Sequence, residues 1–77
     1  MMTFDRMRAD VAAALDMAPE ALAPEDNLYD LGLDSMRLMA LVMEWQEQGV
    51  ELDFGLLMER QTVGAWWDAV AAGRTGA

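Results

Sequence analysis

The stretch LGLDSMRLMALVMEW, residues 31 to 45, holds the chain's single serine, Ser35, directly after Asp34 and at the head of a methionine-rich run. A serine hydroxyl becomes a nucleophile when a neighbouring base removes its proton, and that base is usually histidine or lysine. The chain has neither, its five basic residues being Arg6, Arg8, Arg37, Arg60 and Arg74. Asp34 is adjacent, but an exposed carboxylate is too weak a base for an alcohol. Glu44 with Glu47, and Glu25 with Asp26, supply the side-chain types of an acid and base pair. Among fourteen acidic residues such pairs arise by chance and read as solvated faces. With no cysteine there is no disulfide or thiolate site, and with no histidine the usual transition-metal ligand is absent. Neither catalysis nor a resident metal is expected.

A different use of Ser35 remains. A hydroxyl in the first turn of a helix, after a long loop, is accessible to another enzyme. The helix end also suits a phosphate, because its free N–H groups and dipole favour negative charge. The alternative is that Asp34 and Ser35 only cap the helix, both being residue types preferred there.

The elements that must position Ser35 follow from periodicity. The chain has 77 residues, enough for one small domain and too few for a deep enclosed site. It is 55% hydrophobic with three Trp, two Phe and one Tyr, so its apolar content lies mainly in Ala, Leu, Met and Val and favours an all-α bundle. Thr3 is a plausible N-cap for a first helix from about Phe4 to Met17, with Phe4, Met7, Val11, Ala14 and Leu15 inward and Arg6, Asp10 and Asp16 in solvent. Pro19 and Pro24 then interrupt the chain, and Asn27, Asp30 and Gly32 supply turn chemistry in a loop of unusual length. Leu22, Leu28, Tyr29, Leu31 and Leu33 predict that this loop packs onto the core, with a short helical turn near Pro19 to Leu22.

The second helix is expected from Ser35 to about Gln48, with Asp34 as N-cap and Gly49 at its C-terminal end. Leu38, Leu41, Val42 and Trp45 form one apolar stripe. Met36, Met39, Ala40 and Met43 form a second beside it. A small bundle buries one such stripe, which leaves the methionines near the surface or as core filler. Methionine is flexible and polarizable, so an exposed stripe of it suits a surface that adapts to several partners. A short helix near Phe54 to Glu59 extends that patch through Phe54 and Met58, and Arg37 beside it could pair with a partner carboxylate or with Asp34, although the commonest outcome for a lone surface arginine is neither. A last helix, capped by Thr62, runs from Val63 to about Ala72, with Val63, Trp66 and Val70 inward and Gly73 ending it. The expected architecture is three main helices plus one short helix.

The net charge is −9, with no basic cluster to neutralise phosphates, so nucleic acid and anionic membranes are excluded as partners. The acidity serves solubility or steering toward basic protein surfaces. MMTFDRMRAD lacks the pattern of a secretory signal and no apolar run reaches spanning length, so a cytoplasmic monomer is expected.

LGLDSMRLMALVMEW resembles the attachment motif of the phosphopantetheine-dependent carrier proteins, in which a serine after a Gly-x-Asp or Gly-x-His step opens the second of four helices. GLDSMR, DFGLLMERQTVGAWW and the tandem Trp66 and Trp67 are most similar to aryl carrier domains of siderophore-type nonribosomal peptide assembly, which are often fused to an isochorismatase. The resemblance implies a four-helix carrier-protein bundle over residues 1–73, with 74–77 a disordered tail. It implies that Ser35 receives phosphopantetheine from coenzyme A through a phosphodiester, made by a phosphopantetheinyl transferase using magnesium. Asp34 matches the acidic residue that helps hold that metal. The arm's thiol would be loaded with an aryl acid by an adenylating ligase, and a condensation domain would take the acyl group onward. The docking face would comprise Met36, Arg37, Met39, Ala40, Met43, Phe54 and Met58. Gln61 departs from the pattern, standing where aryl carriers commonly have proline. A peptidyl or fatty acyl carrier with other cargo, and an unmodified acidic helical adaptor, are the alternatives.

Overall fold

The computed structural model describes residues 2–50 and 52–72. It comprises α1 (Phe4–Ala14), a 3-10 turn (Pro19–Ala21), α2 (Ser35–Glu47), α3 (Phe54–Glu59) and α4 (Val63–Ala71), with no strand among the described residues. The all-α arrangement of three main helices and one short one is the expected one. Gly73 as the end of α4 and the tail at 74–77 lie outside the described residues.

The main helices start on the caps read from the sequence. Thr3 Oγ1 accepts from Arg6 N at 3.1 Å, Asp34 Oδ1 from Arg37 N at 2.8 Å, and Thr62 Oγ1 from Ala65 N at 3.2 Å. Each bond satisfies one of the N–H groups that a helix start leaves without a partner. Helix α2 ends with Gly49 at φ +85°, Val50 N donating to Trp45 O at 2.9 Å and Gly49 N to Gln46 O at 3.0 Å. Helix α1 ends the same way three residues sooner than expected. Asp16 takes the left-handed position at φ +59°, Met17 N donates to Ala12 O at 3.0 Å, and Asp16 N donates to Ala13 O at 3.2 Å. This pattern closes a helix by turning its last carbonyls onto the reversing chain.

Helix α1 packs against both α2 and α4. It buries Met7, Val11 and Ala12, while α2 buries Leu38, Leu41, Val42 and Trp45, and α4 buries Val63, Trp66 and Ala69. Trp45 and Trp66 meet edge to face, with centroids 6.3 Å apart. Met2, Leu52 and Leu57 complete the core with the loop leucines. Three expectations are corrected. Phe4, Ala14 and Leu15 are only half-buried, because they sit at the two ends of α1, while Ala12 in its interior is buried. Val70 is half-buried and Ala69 takes the inward place. Asp10 does not face open solvent, since its Oδ2 accepts from the buried Trp45 Nε1 at 3.0 Å.

The loop between α1 and α2 is ordered by its own polar groups. Asp26 Oδ2 accepts from Ala23 N at 2.9 Å, and Asn27 Oδ1 accepts from Tyr29 N at 2.9 Å and Asp30 N at 3.1 Å. Leu22, Leu28 and Leu33 are buried as expected, whereas Leu31 sits at the tip of a turn and is 41% exposed. Gly64 N donates to Pro24 O at 3.0 Å, and a Cβ on Gly64 would stand 3.0 Å from the same oxygen. Glycine lets the loop lie this close to α4 without crowding, since any side chain would press on the Pro24 main chain.

Candidate functional site

Ser35 is exposed in the first turn of the thirteen-residue α2. Asp34 caps that helix, so the serine hydroxyl is not needed for the cap bond. Asp34 is itself exposed and caps through Oδ1, leaving Oδ2 outside that bond. Arg37 neither pairs with Asp34 through its guanidinium nor hangs free. Its Nη1 donates to Gly32 O at 3.2 Å, which ties α2 to the turn just before Ser35. Gly32 stands at φ +110°, where a side chain would be strained.

The methionine stripe is at the surface. Met36 is 82% exposed, Met39 49% and Met43 59%, and together with Ser35 and Ala40 they line one shallow, mostly apolar groove. The serine therefore opens directly onto this face. Met58 on α3 is 42% exposed, and its Sδ accepts a hydrogen bond from the Tyr29 hydroxyl at 3.4 Å. Burial of the phenol pushes the Tyr29 pKa above its ordinary value of 10.0. Phe54 differs from the methionines, being half-buried and packed against the core.

Glu44 lines a second groove, between α1 and α2, with Asp10 and Arg37, while Glu47, Glu25 and Asp26 are not brought to it. Asp26 serves the loop's backbone instead. Among the described residues no cluster of three or more acidic side chains could hold a metal ion, and no helix is long and apolar enough to cross a membrane. Reading the sequence alone misses two ties to the site: the Arg37 bond to Gly32, and the bond of Asn27 Nδ2 to Gln61 Oε1 at 2.8 Å. The first is signalled only by the spacing of Gly32 and Arg37, and the second crosses 34 residues with no local signal.

The arrangement supplies an exposed hydroxyl at a helix N-terminus, free of capping duty, with no base beside it. An acceptor of a phosphodiester needs those features, whereas a hydrolase needs the base. Residues 5–70 match the family described as "Phosphopantetheine attachment site". The chain is 43% identical over 67 residues to the phenyloxazoline synthase MbtB of Mycobacterium tuberculosis (strain ATCC 25618 / H37Rv), covering 87% of this chain and 5% of that protein. It is 39% identical over 64 residues to an isochorismatase of Bacillus subtilis (strain 168), covering 83% of this chain and 20% of that one. It is 36% identical over 76 residues to the acyl carrier protein ScoB of Streptomyces coeruleorubidus, covering 99% of this chain and 89% of the relative. No solved structure matches the chain. The chain belongs to the phosphopantetheine attachment-site family and is a non-catalytic carrier domain.

Proposed function

We propose that this domain holds an aryl acid as a thioester on a phosphopantetheine arm joined to Ser35 and shuttles it between an adenylating ligase and a condensation domain of siderophore-type nonribosomal peptide assembly. One observation carries the proposal: the Ser35 hydroxyl is exposed at the start of α2 while Asp34 does the capping. The bound group supplies a flexible arm ending in a thiol, on which the acid is carried. The chain's own residues have simpler duties. Ser35 Oγ provides the oxygen of the phosphodiester, and the N-terminus of α2 favours its negative charge. Asp34 Oδ2 is left for the magnesium that the phosphopantetheinyl transferase brings. Met36, Met39, Ala40 and Met43 form the docking face, flanked by Arg37 and Met58, with Phe54 contributing its exposed part.

Aryl cargo is supported by the likeness to a phenyloxazoline synthase, whose name specifies a phenyl-bearing product, and to an isochorismatase. The second reading, an acyl carrier with other cargo, is favoured by ScoB, because that relative matches along nearly its whole length. The test is intact mass after incubating the folded domain and its Ser35→Ala variant with coenzyme A, magnesium and a broad-specificity transferase. A gain of one phosphopantetheine on the wild type alone is expected. A folded wild type that gains nothing overturns the assignment and leaves an unmodified adaptor. Offering aryl and fatty acids with their ligases to the modified protein then separates the two cargoes.

A further inference from the structure

Asn27 has both polar atoms of its side chain engaged. Its Oδ1 accepts from Tyr29 N and Asp30 N, and its Nδ2 donates to Gln61 Oε1 at 2.8 Å. The two backbone donors fix which end of the amide is oxygen, so the NH₂ must face Gln61. Gln61 reaches the same segment a second time, its main-chain oxygen accepting from Leu28 N at 2.8 Å. Residues 27–30 are thus anchored to the connection between α3 and α4. The chain then turns tightly, with Leu31 N and Leu33 N donating to Leu28 O and Gly32 N to Tyr29 O. Gly32 O in turn accepts from Arg37 Nη1, and Asp34 Oδ1 from Arg37 N. An unbroken series of hydrogen bonds runs from Gln61 to the residues on either side of Ser35.

We infer that Asn27 and Gln61 are positioning residues for Ser35, holding the 28–34 segment in the one shape from which the serine is presented to the modifying enzyme. The inference rests on Ser35 being the attachment residue. The Asn27–Gln61 bond is exposed, whereas Leu28 and Leu33, which anchor the segment to the core, are buried. Its loss therefore leaves the bundle folded and lets residues 29–32 leave the presenting shape. A partner that binds only that shape loses apparent affinity in proportion to the fraction that has left. A hydrogen bond of ordinary net worth shifts that equilibrium about three- to five-fold, which sets the ceiling on the loss of apparent affinity.

The test compares three variants with the wild type. Gln61→Ala removes the side-chain acceptor and keeps the main-chain one. Gln61→Glu keeps an acceptor for Asn27 Nδ2. Asn27→Asp combined with Gln61→Glu sets two carboxylates face to face while preserving the acceptor for Tyr29 N and Asp30 N. Each is measured for the transferase KM and kcat with the carrier as varied substrate, and for backbone amide exchange. In Gln61→Ala and the double variant, KM rises, by at most about five-fold, with kcat retained, and exchange quickens about three- to five-fold at Leu31, Gly32 and Leu33. Gln61→Glu stays near the wild type in both. An unchanged KM in the two disrupted variants, unchanged exchange at those three amides, or Gln61→Glu as impaired as Gln61→Ala overturns the inference. A wild type that accepts no phosphopantetheine overturns the attachment role of Ser35 and this role with it, whereas quickened exchange beside normal kinetics overturns the positioning role alone.

Discussion

Replacing Asp10 with alanine tests the contact by which α1 holds the buried indole of α2. Asp10 Oδ2 accepts from Trp45 Nε1 at 3.0 Å, and Trp45 has no exposed surface. Arg6 Nε lies 3.6 Å from the other oxygen, but the Arg6 side chain is 52% exposed, so that ion pair contributes little. The loss comes from the indole N–H. A hydrogen bond to a charged acceptor is worth about 1.5 to 3 kcal/mol. The groove that Asp10 lines between α1 and α2 lets water approach, which favours the lower half of that range. Alanine also returns about 0.6 kcal/mol of helix propensity. The net cost is therefore about 1 to 2 kcal/mol, or a Tm lower by roughly 5 to 15 °C for a domain of this size. Asp10→Asn keeps an acceptor with little change in propensity and should recover most of the loss. Thermal and urea melts followed by circular dichroism measure both variants, and Trp45→Phe completes a double-mutant cycle with an expected coupling of about 1 kcal/mol. A change within about 0.3 kcal/mol for Asp10→Ala, or no advantage of asparagine over alanine, would refute the assigned contact.

Gly64→Ala sets a Cβ 3.0 Å from Pro24 O, a main-chain atom that cannot swing aside. It should cost about 1 to 3 kcal/mol by urea melts and move the backbone resonances of residues 22–28. Met39→Ala should change stability by less than about 0.5 kcal/mol, because the side chain is half exposed, while lowering the rate at which an adenylating ligase loads the phosphopantetheine-bearing domain; a variant that melts far below the wild type would remove Met39 from the proposed docking face. Tyr29 has its native pKa raised by burial, so the folded state favours the neutral phenol. Stability should be full below pH 10.0 and fall as the pH climbs from there through the raised native value, and Tyr29→Phe should remove that fall. Tyr29 is the only tyrosine, so a phenolate absorbance titration reads it directly, and a midpoint at or below 10.0 would contradict the assigned burial.

Helix starts were legible because Thr3, Asp34 and Thr62 each cap by a contact three residues away, within reach of local sequence. The end of α2 was legible for the same reason, Gly49 being the usual residue for a left-handed cap. The end of α1 was not, since Asp16 takes that conformation without glycine's signature. The two stripes of α2 could be counted from helical spacing, but which one faces the core depends on α1 and α4. Ser35 and its exposure were readable from the Asp34 cap and the methionines that follow. What fixes the turn before Ser35 was not readable, because Asn27 and Gln61 lie 34 residues apart and are brought together by tertiary packing that no local pattern signals.

The division of α2 into a buried and an exposed stripe bears on how tightly any partner can hold. Leu38, Leu41, Val42 and Trp45 are already spent on the core, so a partner on this helix gains apolar burial chiefly from Met36, Met39 and Met43, with Met58 beside them. Full burial of one such side chain from full exposure is worth about 1.5 to 3 kcal/mol, and three of the four begin 42% to 59% exposed. The face as a whole therefore yields roughly 3.5 to 7 kcal/mol, against an association cost estimated at about 4 to 15 kcal/mol. Methionine contacts alone leave little surplus, and a long-lived complex has to draw on other contacts, such as the 28–34 turn and the arm proposed for Ser35. Contacts to the turn and the arm can be made by one enzyme and not the next, whereas the methionines offer every partner the same modest hold. The charge of −9 adds to encounter rate with basic surfaces more than to residence. That combination of fast arrival and weak common grip suits the proposed shuttling, in which the domain leaves each enzyme before reaching the next.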